Sequence, residues 1–183
     1  MALLDKHLYS KKSTLPNAGK GLFTKVLIPK GTKITEYKGE VMTWRAVEKM
    51  ADYRNGYVFY FNRNYVIDGW NNKDGLAHLI NDAKGLTRVP GVTNNTEYDT
   101  EKKRCFIIAT KDIPAGSEIF VGYGAEYWQV IRYNIRQDEI THRKDLKSGK
   151  KLASKPLKNG HTTKNGHKVE LPHHQAAKRS KMG

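Results

Sequence analysis

The chain has 183 residues, with 33 lysines and arginines against 18 aspartates and glutamates for a formal net charge of +15, a length that suits one domain with a core rather than two and a charge that calls for acidic partners. Its single cysteine, Cys105, excludes an internal disulfide and any zinc site built on a cysteine cluster, and it fits a reducing compartment. No apolar run approaches the roughly 20 residues of a membrane span, and the N-terminal MALLDKHLYSKK lacks the apolar core of a secretory leader, so a soluble, intracellular protein without a membrane partner is expected.

His7 to Lys11 mixes β-formers with polar residues, and a loop punctuated by Ser13, Pro16, Asn17 and Gly19 leads into a short strand over Gly21 to Thr24. Gly19-Lys20-Gly21 lacks the third glycine of a dinucleotide fingerprint and the Lys-Ser/Thr of a P-loop, and no helical pattern follows, which argues against a phosphate cradle. What remains is a turn whose missing side chains let some flat group lie against the backbone. Ile28-Pro29-Lys30-Gly31 reads as a turn and Lys33 to Tyr37 as a strand ending at Gly39. Thr43 can cap a helix over Trp44 to Ala51 with Val47, Met50 and Ala51 inward. Tyr57 to Phe61 and Tyr65 to Asp68, joined through Asn62-Arg63-Asn64, read as an aromatic-rich hairpin.

Gly75 to Asp82 is an apolar run ending on Asn81 and Asp82. It either presents buried polar groups to the following loop or is a helix end capped by asparagine, and the pattern alone fits both. Thr96 to Asp99 and Arg104 to Ala109 form a further strand pair, and Asp112 to Gly116 turns the chain into an extended Glu118 to Val121. Gly122 and Gly124 then bracket Tyr123 with residues that tolerate positive φ, holding its phenol out from the strand. A tyrosine that only seals a core edge fits the same pattern. Tyr127, Trp128, Ile131 and Ile135 recur at helical spacing.

Residues 141–183 hold 12 basic and 2 acidic side chains, so ten of the fifteen excess positive charges lie in the last quarter of the chain. Few aliphatics accompany them, and such a segment cannot bury enough apolar surface to offset chain entropy. Its histidines lack zinc-finger spacing and any thiol partner, so no metal is expected. The expected division is a lead-in strand over 1–16, a folded core over 17–128, a closing helix over 129–140 and a disordered Lys/His-rich tail over 141–183. Clustered lysines would give the tail salt-dependent affinity for nucleic acid; a solubilising tail fits the same composition.

Four stretches in this order resemble the SET domain of protein lysine methyltransferases: Asn17-Ala18-Gly19-Lys20-Gly21-Leu22-Phe23, Glu36-Tyr37-Lys38-Gly39-Glu40, Leu79-Ile80-Asn81-Asp82, and Gly116-Ser117-Glu118-Ile119-Phe120-Val121-Gly122-Tyr123-Gly124. The resemblance spans about Leu8 to Trp128. It implies a mainly β, β-clip-like fold of several small sheets with short helices and a C-terminal pseudoknot, and S-adenosyl-L-methionine as cofactor. It also implies that the backbone at Gly19, Lys20 and Gly21 holds the methionine end of that cofactor, that Tyr57 lies against it, and that Asn81 binds its amino group. Asp82 stands where the family usually has a histidine that contacts adenine through its main chain. Tyr123 matches the catalytic tyrosine and Tyr37 a tyrosine of the lysine channel, while the family's aspartate and Phe/Tyr positions before the catalytic tyrosine are Gly122 and Val121 here.

The chemistry accounts for these residue types. A lysine ammonium, with a reference pKa near ~10.4, must lose its proton before it can attack carbon, and an aromatic channel beside a sulfonium disfavours the charged form. Many SET domains are flanked by zinc-binding cysteine clusters, which Cys105 alone cannot supply. The Tyr127-Trp128 segment and the helix after it are expected to close the site instead, with Trp128 beside the cofactor. The implied substrate is a lysine on a histone-like or other basic protein tail, in the nucleus if the host has one and otherwise in the cytoplasm. Asp82 and Gly122 keep a second reading open, a catalytically weak SET module that binds chromatin partners while its tail binds nucleic acid.

Overall fold

β-Branched and aromatic runs, cut by glycine and proline turns, set nine strands among the described residues of the computed structural model, which are 3–50, 55–72 and 75–147. In chain order they are β1 (Leu8–Lys12), β2 (Lys20–Thr24), β3 (Lys33–Tyr37), β4 (Glu40–Met42), β5 (Val58–Asn62), β6 (Tyr65–Asp68), β7 (Thr96–Glu101), β8 (Arg104–Ala109) and β9 (Glu118–Ile119). They make three small antiparallel sheets, β1-β2-β9, β3-β8-β7 and β4-β6-β5. This is the mainly β fold of small sheets expected from the sequence. The strand over Glu40–Met42 is an addition, formed by pairing with Val66 to Asp68.

The sheets share one core. Leu22, Ile34, Ile80, Ile107, Ile119 and Val121 are each at most 1 % exposed, and they join Phe59 and Ile67 in a single cluster. Burying each such side chain stabilises the fold by about 1.5–3 kcal/mol. The arrangement puts Ile80 and Val121 in that core, while Asn81, next to Ile80, and Tyr123, two residues past Val121, stand at its edge.

Past β9 the chain is held on both sides. Asn81 bridges Phe120 and Thr96 bridges Val121, both in parallel register. The Val121 amide donates to the Asn81 carbonyl at 3.0 Å, and the Asn95 and Thr96 amides donate to the Phe120 carbonyl at 3.1 and 3.0 Å. The segments at Asn81 and at Asn95–Thr96, both well upstream in sequence, thus grip the short stretch that delivers Tyr123.

Helix α1 (Trp44–Glu48) has the expected cap, the Thr43 hydroxyl accepting from the Ala46 amide at 3.2 Å, with Trp44 and Val47 buried. It ends at Glu48, so the expected extension to Ala51 is not made within the described residues, and Ala51 itself lies outside them. Helix α2 (Ala125–Lys147) has 23 residues and crosses the expected boundary at 140 without a break. Composition alone puts an order-disorder boundary there. It overlooks Glu139 and Arg143, whose i, i+4 spacing favours helix, and Thr141, whose hydroxyl donates back to the Gln137 carbonyl at 3.0 Å. The remainder of the basic tail, 148–183, lies outside the described residues.

Candidate active site

The site begins with a turn. Ser13 donates its amide to the Gly19 carbonyl at 2.8 Å, and the left-handed conformations of Asn17 (φ 61°) and Gly19 (φ 72°) reverse the chain before β2. Inside that turn lies a buried carboxylate, Glu118, 5 % exposed. It accepts from the Ser13 hydroxyl at 2.7 Å, the Thr14 amide at 2.7 Å, the Thr14 hydroxyl at 2.6 Å and the Asn81 amide nitrogen at 3.3 Å. A Cβ on Gly21 would overlap the Glu118 carboxylate. Gly21 therefore makes room for this network and is not among the residues that line the cavity, whereas Gly19 and Lys20 are.

The apolar run before Asn81 resolves into a single 3-10 turn, Ala77–Leu79, ended by Ile80 in extended conformation. Asn81 does not cap it. Its Nδ2 instead donates to the Lys20 carbonyl at 3.0 Å as well as to Glu118, which uses both amide hydrogens and turns Oδ1 away from these two acceptors. The three consecutive residues Ile80, Asn81 and Asp82 then each present an acceptor to the segment after β9. Ile80 accepts the Tyr123 hydroxyl through its carbonyl at 2.6 Å, Asn81 accepts the Val121 amide, and Asp82 accepts the Tyr123 amide through Oδ2 at 2.9 Å.

These groups face a cavity of about 560 Å³, within the range of small-molecule sites. Its walls are aromatic: Tyr37, Tyr57, Tyr98, Tyr123, Tyr127 and Trp128. The Tyr37 hydroxyl donates to the Tyr57 carbonyl at 2.8 Å. The Trp128 ring stacks on Tyr123 with centroids 5.7 Å apart and planes at 14°, and Tyr127 meets both rings edge-on at 4.9 and 5.1 Å. Gly85 lies under Trp128, where any Cβ would strike the indole. The first turn of α2 is thus a wall of the cavity.

Burial governs the electrostatics. It raises the phenols of Tyr123, Tyr98 and Tyr37 well above the ordinary tyrosine range, with smaller contributions from neighbouring tyrosines, Cys105 and nearby carboxylates. It pushes Tyr127 up to about 12. The same desolvation lowers His78, which also lines the cavity and meets Tyr57 edge-on at 5.9 Å. Around neutral pH the tyrosine walls are therefore uncharged.

The structure brings Gly19, Lys20, Tyr37, Tyr57, Asn81, Asp82, Tyr123 and Trp128 to one cavity and leaves Gly21 behind it. Sequence reasoning missed Glu118, Tyr98 and Asn94. A carboxylate opening the apolar run Glu118-Ile119-Phe120-Val121 was the available signal for the first, since a charge in a buried strand needs partners. Tyr98 carried no signal beyond its strand. Asn94, whose amide nitrogen donates to Asp82 at 2.9 Å, was hidden in a loop.

A family model, the SET domain, matches residues 19–124. The chain belongs to the SET domain family, whose usual role is protein lysine methylation with S-adenosylmethionine as methyl donor. A search among curated proteins gives no match.

Proposed function

We propose that this SET domain is an S-adenosylmethionine-dependent protein-lysine N-methyltransferase acting on lysines of histone-like or other basic protein tails. The observation that carries the reading is the bond from the Tyr123 hydroxyl to the Ile80 carbonyl, which sets a phenol beside Asn81 in one aromatic-walled cavity. The donor set suits the cofactor. An oriented amide and the exposed backbone of the Gly19 turn match an amino-acid end, and Tyr57 and Trp128 match a flat base.

In this reading the backbone of Gly19 and Lys20 and the Asn81 Oδ1 would hold the amino-acid end of the cofactor, and Trp128 and the main chain at Asp82 would hold its base. When bound, the cofactor supplies a methyl group activated by a sulfonium. Tyr37 and Tyr123 have their protons committed to carbonyls, so toward a substrate amine their oxygens act as acceptors. They orient it; raised as they are, they do not take its proton at neutral pH. The ammonium gives its proton to bulk water, a loss favoured because the aromatic channel disfavours the charged form, and orientation of this kind can lower a barrier by about 7 kcal/mol or more.

Catalysis is favoured over a binding-only module because the unusual Asp82 is built into the support of Tyr123 rather than left idle. The proposed division is a core over 17–128, closed by α2, and a basic tail that suits phosphate-rich surfaces. Intact-mass measurement of a panel of basic proteins after incubation with enzyme and cofactor tests the reading. Methyl increments on lysine are expected, and none on any protein of the panel would count against it.

A further inference from the structure

The carboxylate of Asp82 is 6 % exposed and accepts four hydrogen bonds. Oδ1 takes the Lys84 amide at 2.8 Å and the Asn94 side-chain amide at 2.9 Å. Oδ2 takes the Tyr123 amide at 2.9 Å and the Trp128 indole N–H at 2.7 Å. One oxygen thus faces the loop after Asn81, and the other faces the tyrosine and the first turn of α2.

From this geometry we infer that Asp82 is a positioning residue that docks α2 onto the cavity, acting through Trp128 and Tyr123, an inference that rests on the cofactor reading above. A carboxylate can receive two donors on each oxygen; a neutral amide cannot. An asparagine at 82 would turn its own N–H₂ toward one of the two donor pairs whichever way it was flipped, leaving buried donors facing each other. The stacked rings explain why this matters to the site. Tyr123 is held at its amide by Asp82 and at its hydroxyl by Ile80, and Trp128, held by the same Oδ2, lies flat against its ring. Asp82 thereby fixes the tyrosine and the wall beside it relative to each other. The cysteine-poor chain uses one buried carboxylate to fasten its closing helix.

The test is a double-mutant cycle between Asp82→Asn and Trp128→Phe, the latter keeping an aromatic ring while deleting the indole donor. Affinity for S-adenosylhomocysteine is measured by calorimetry, and exchange of the Trp128 indole proton by NMR on the ligand-free protein. Asp82→Asn is expected to weaken binding about tenfold or more and Trp128→Phe by several-fold, with the double variant no weaker than Asp82→Asn alone, since both cut one connection. Indole exchange in Asp82→Asn is expected to accelerate about tenfold or more. Costs that multiply, or unchanged affinity in Asp82→Asn, would overturn the inference. If Asp82→Asn does not fold, Trp128→Phe with affinity within about twofold of wild type overturns it. If the wild type itself does not bind S-adenosylhomocysteine, the cofactor reading fails, and the exchange measurement judges the fastening separately: an indole no faster in Asp82→Asn overturns it.

Discussion

The Tyr123 hydroxyl lies 2.6 Å from the carbonyl oxygen of Ile80, a bond made across 43 positions of the chain. It links the glycine-flanked end of the last strand to the residue before Asn81, and nothing local in either stretch requires it. The core does, because Ile80 and Val121 are both buried in it and carry Asn81 and Tyr123 to the same edge.

Asn81 joins this bond to the Gly19 turn, with both Nδ2 hydrogens engaged by Lys20 and Glu118. Asn81→Ala should weaken S-adenosylhomocysteine binding about 10- to 100-fold, the worth of a hydrogen bond to a charged group at about 1.5–3 kcal/mol. Calorimetric titration checks this, and affinity within about threefold of wild type would place the cofactor's amino group elsewhere.

Two glycines separate close approach from backbone freedom. Gly21→Ala drives a methyl into the Glu118 carboxylate and should cost on the order of 2 kcal/mol or more by breaking bonds to Ser13, Thr14 and Asn81. Gly31→Ala meets open space at φ 83° and should cost only about 1–2 kcal/mol of left-handed strain. Denaturant melts of the two variants give the comparison, and S-adenosylhomocysteine binding weakened only in Gly21→Ala would tie that glycine to the site.

The buried tyrosines set an alkaline signature. Their folded-state pKa values lie above the unfolded value of about 10, so the protonated phenols favour the folded state fully below that pH. The contribution is lost as pH rises through the folded values, which for Tyr127 is about 12. Stability should therefore be level with respect to these groups up to pH ~10 and fall between pH ~10 and ~12. Ultraviolet difference absorption of tyrosinate during pH-jump unfolding follows this directly; ionisation of all ten tyrosines in the folded state near pH 10 would contradict it.

Much of this was legible in the sequence because short β-formers between glycine and proline turns leave few ways to pair. The hairpin of β5 and β6, the β7-β8 pair and the capped α1 follow from such local signals. Asn81 and Tyr123 could be matched to a site because their motifs are local too. What binds them is not: Glu118 reaches Ser13 and Thr14 over more than a hundred positions, and Asp82 reaches Trp128 over 46. Periodicity reports which face of an element is apolar and says nothing of which distant donors meet a buried carboxylate. The extra turns of α2 past residue 140 were missed for a different reason, since average composition hides side-chain spacing along a helix.

Transfer of a labelled methyl group from S-adenosylmethionine to basic proteins, compared between wild type and Tyr123→Phe, tests the central assignment most directly. The wild type should label lysine, and the variant, which loses only the hydroxyl that bonds Ile80 and orients the amine, should label it about 100-fold more slowly or worse while still binding S-adenosylhomocysteine within a few-fold. Equal labelling by the two proteins would remove Tyr123, and the cavity built around it, from the chemistry.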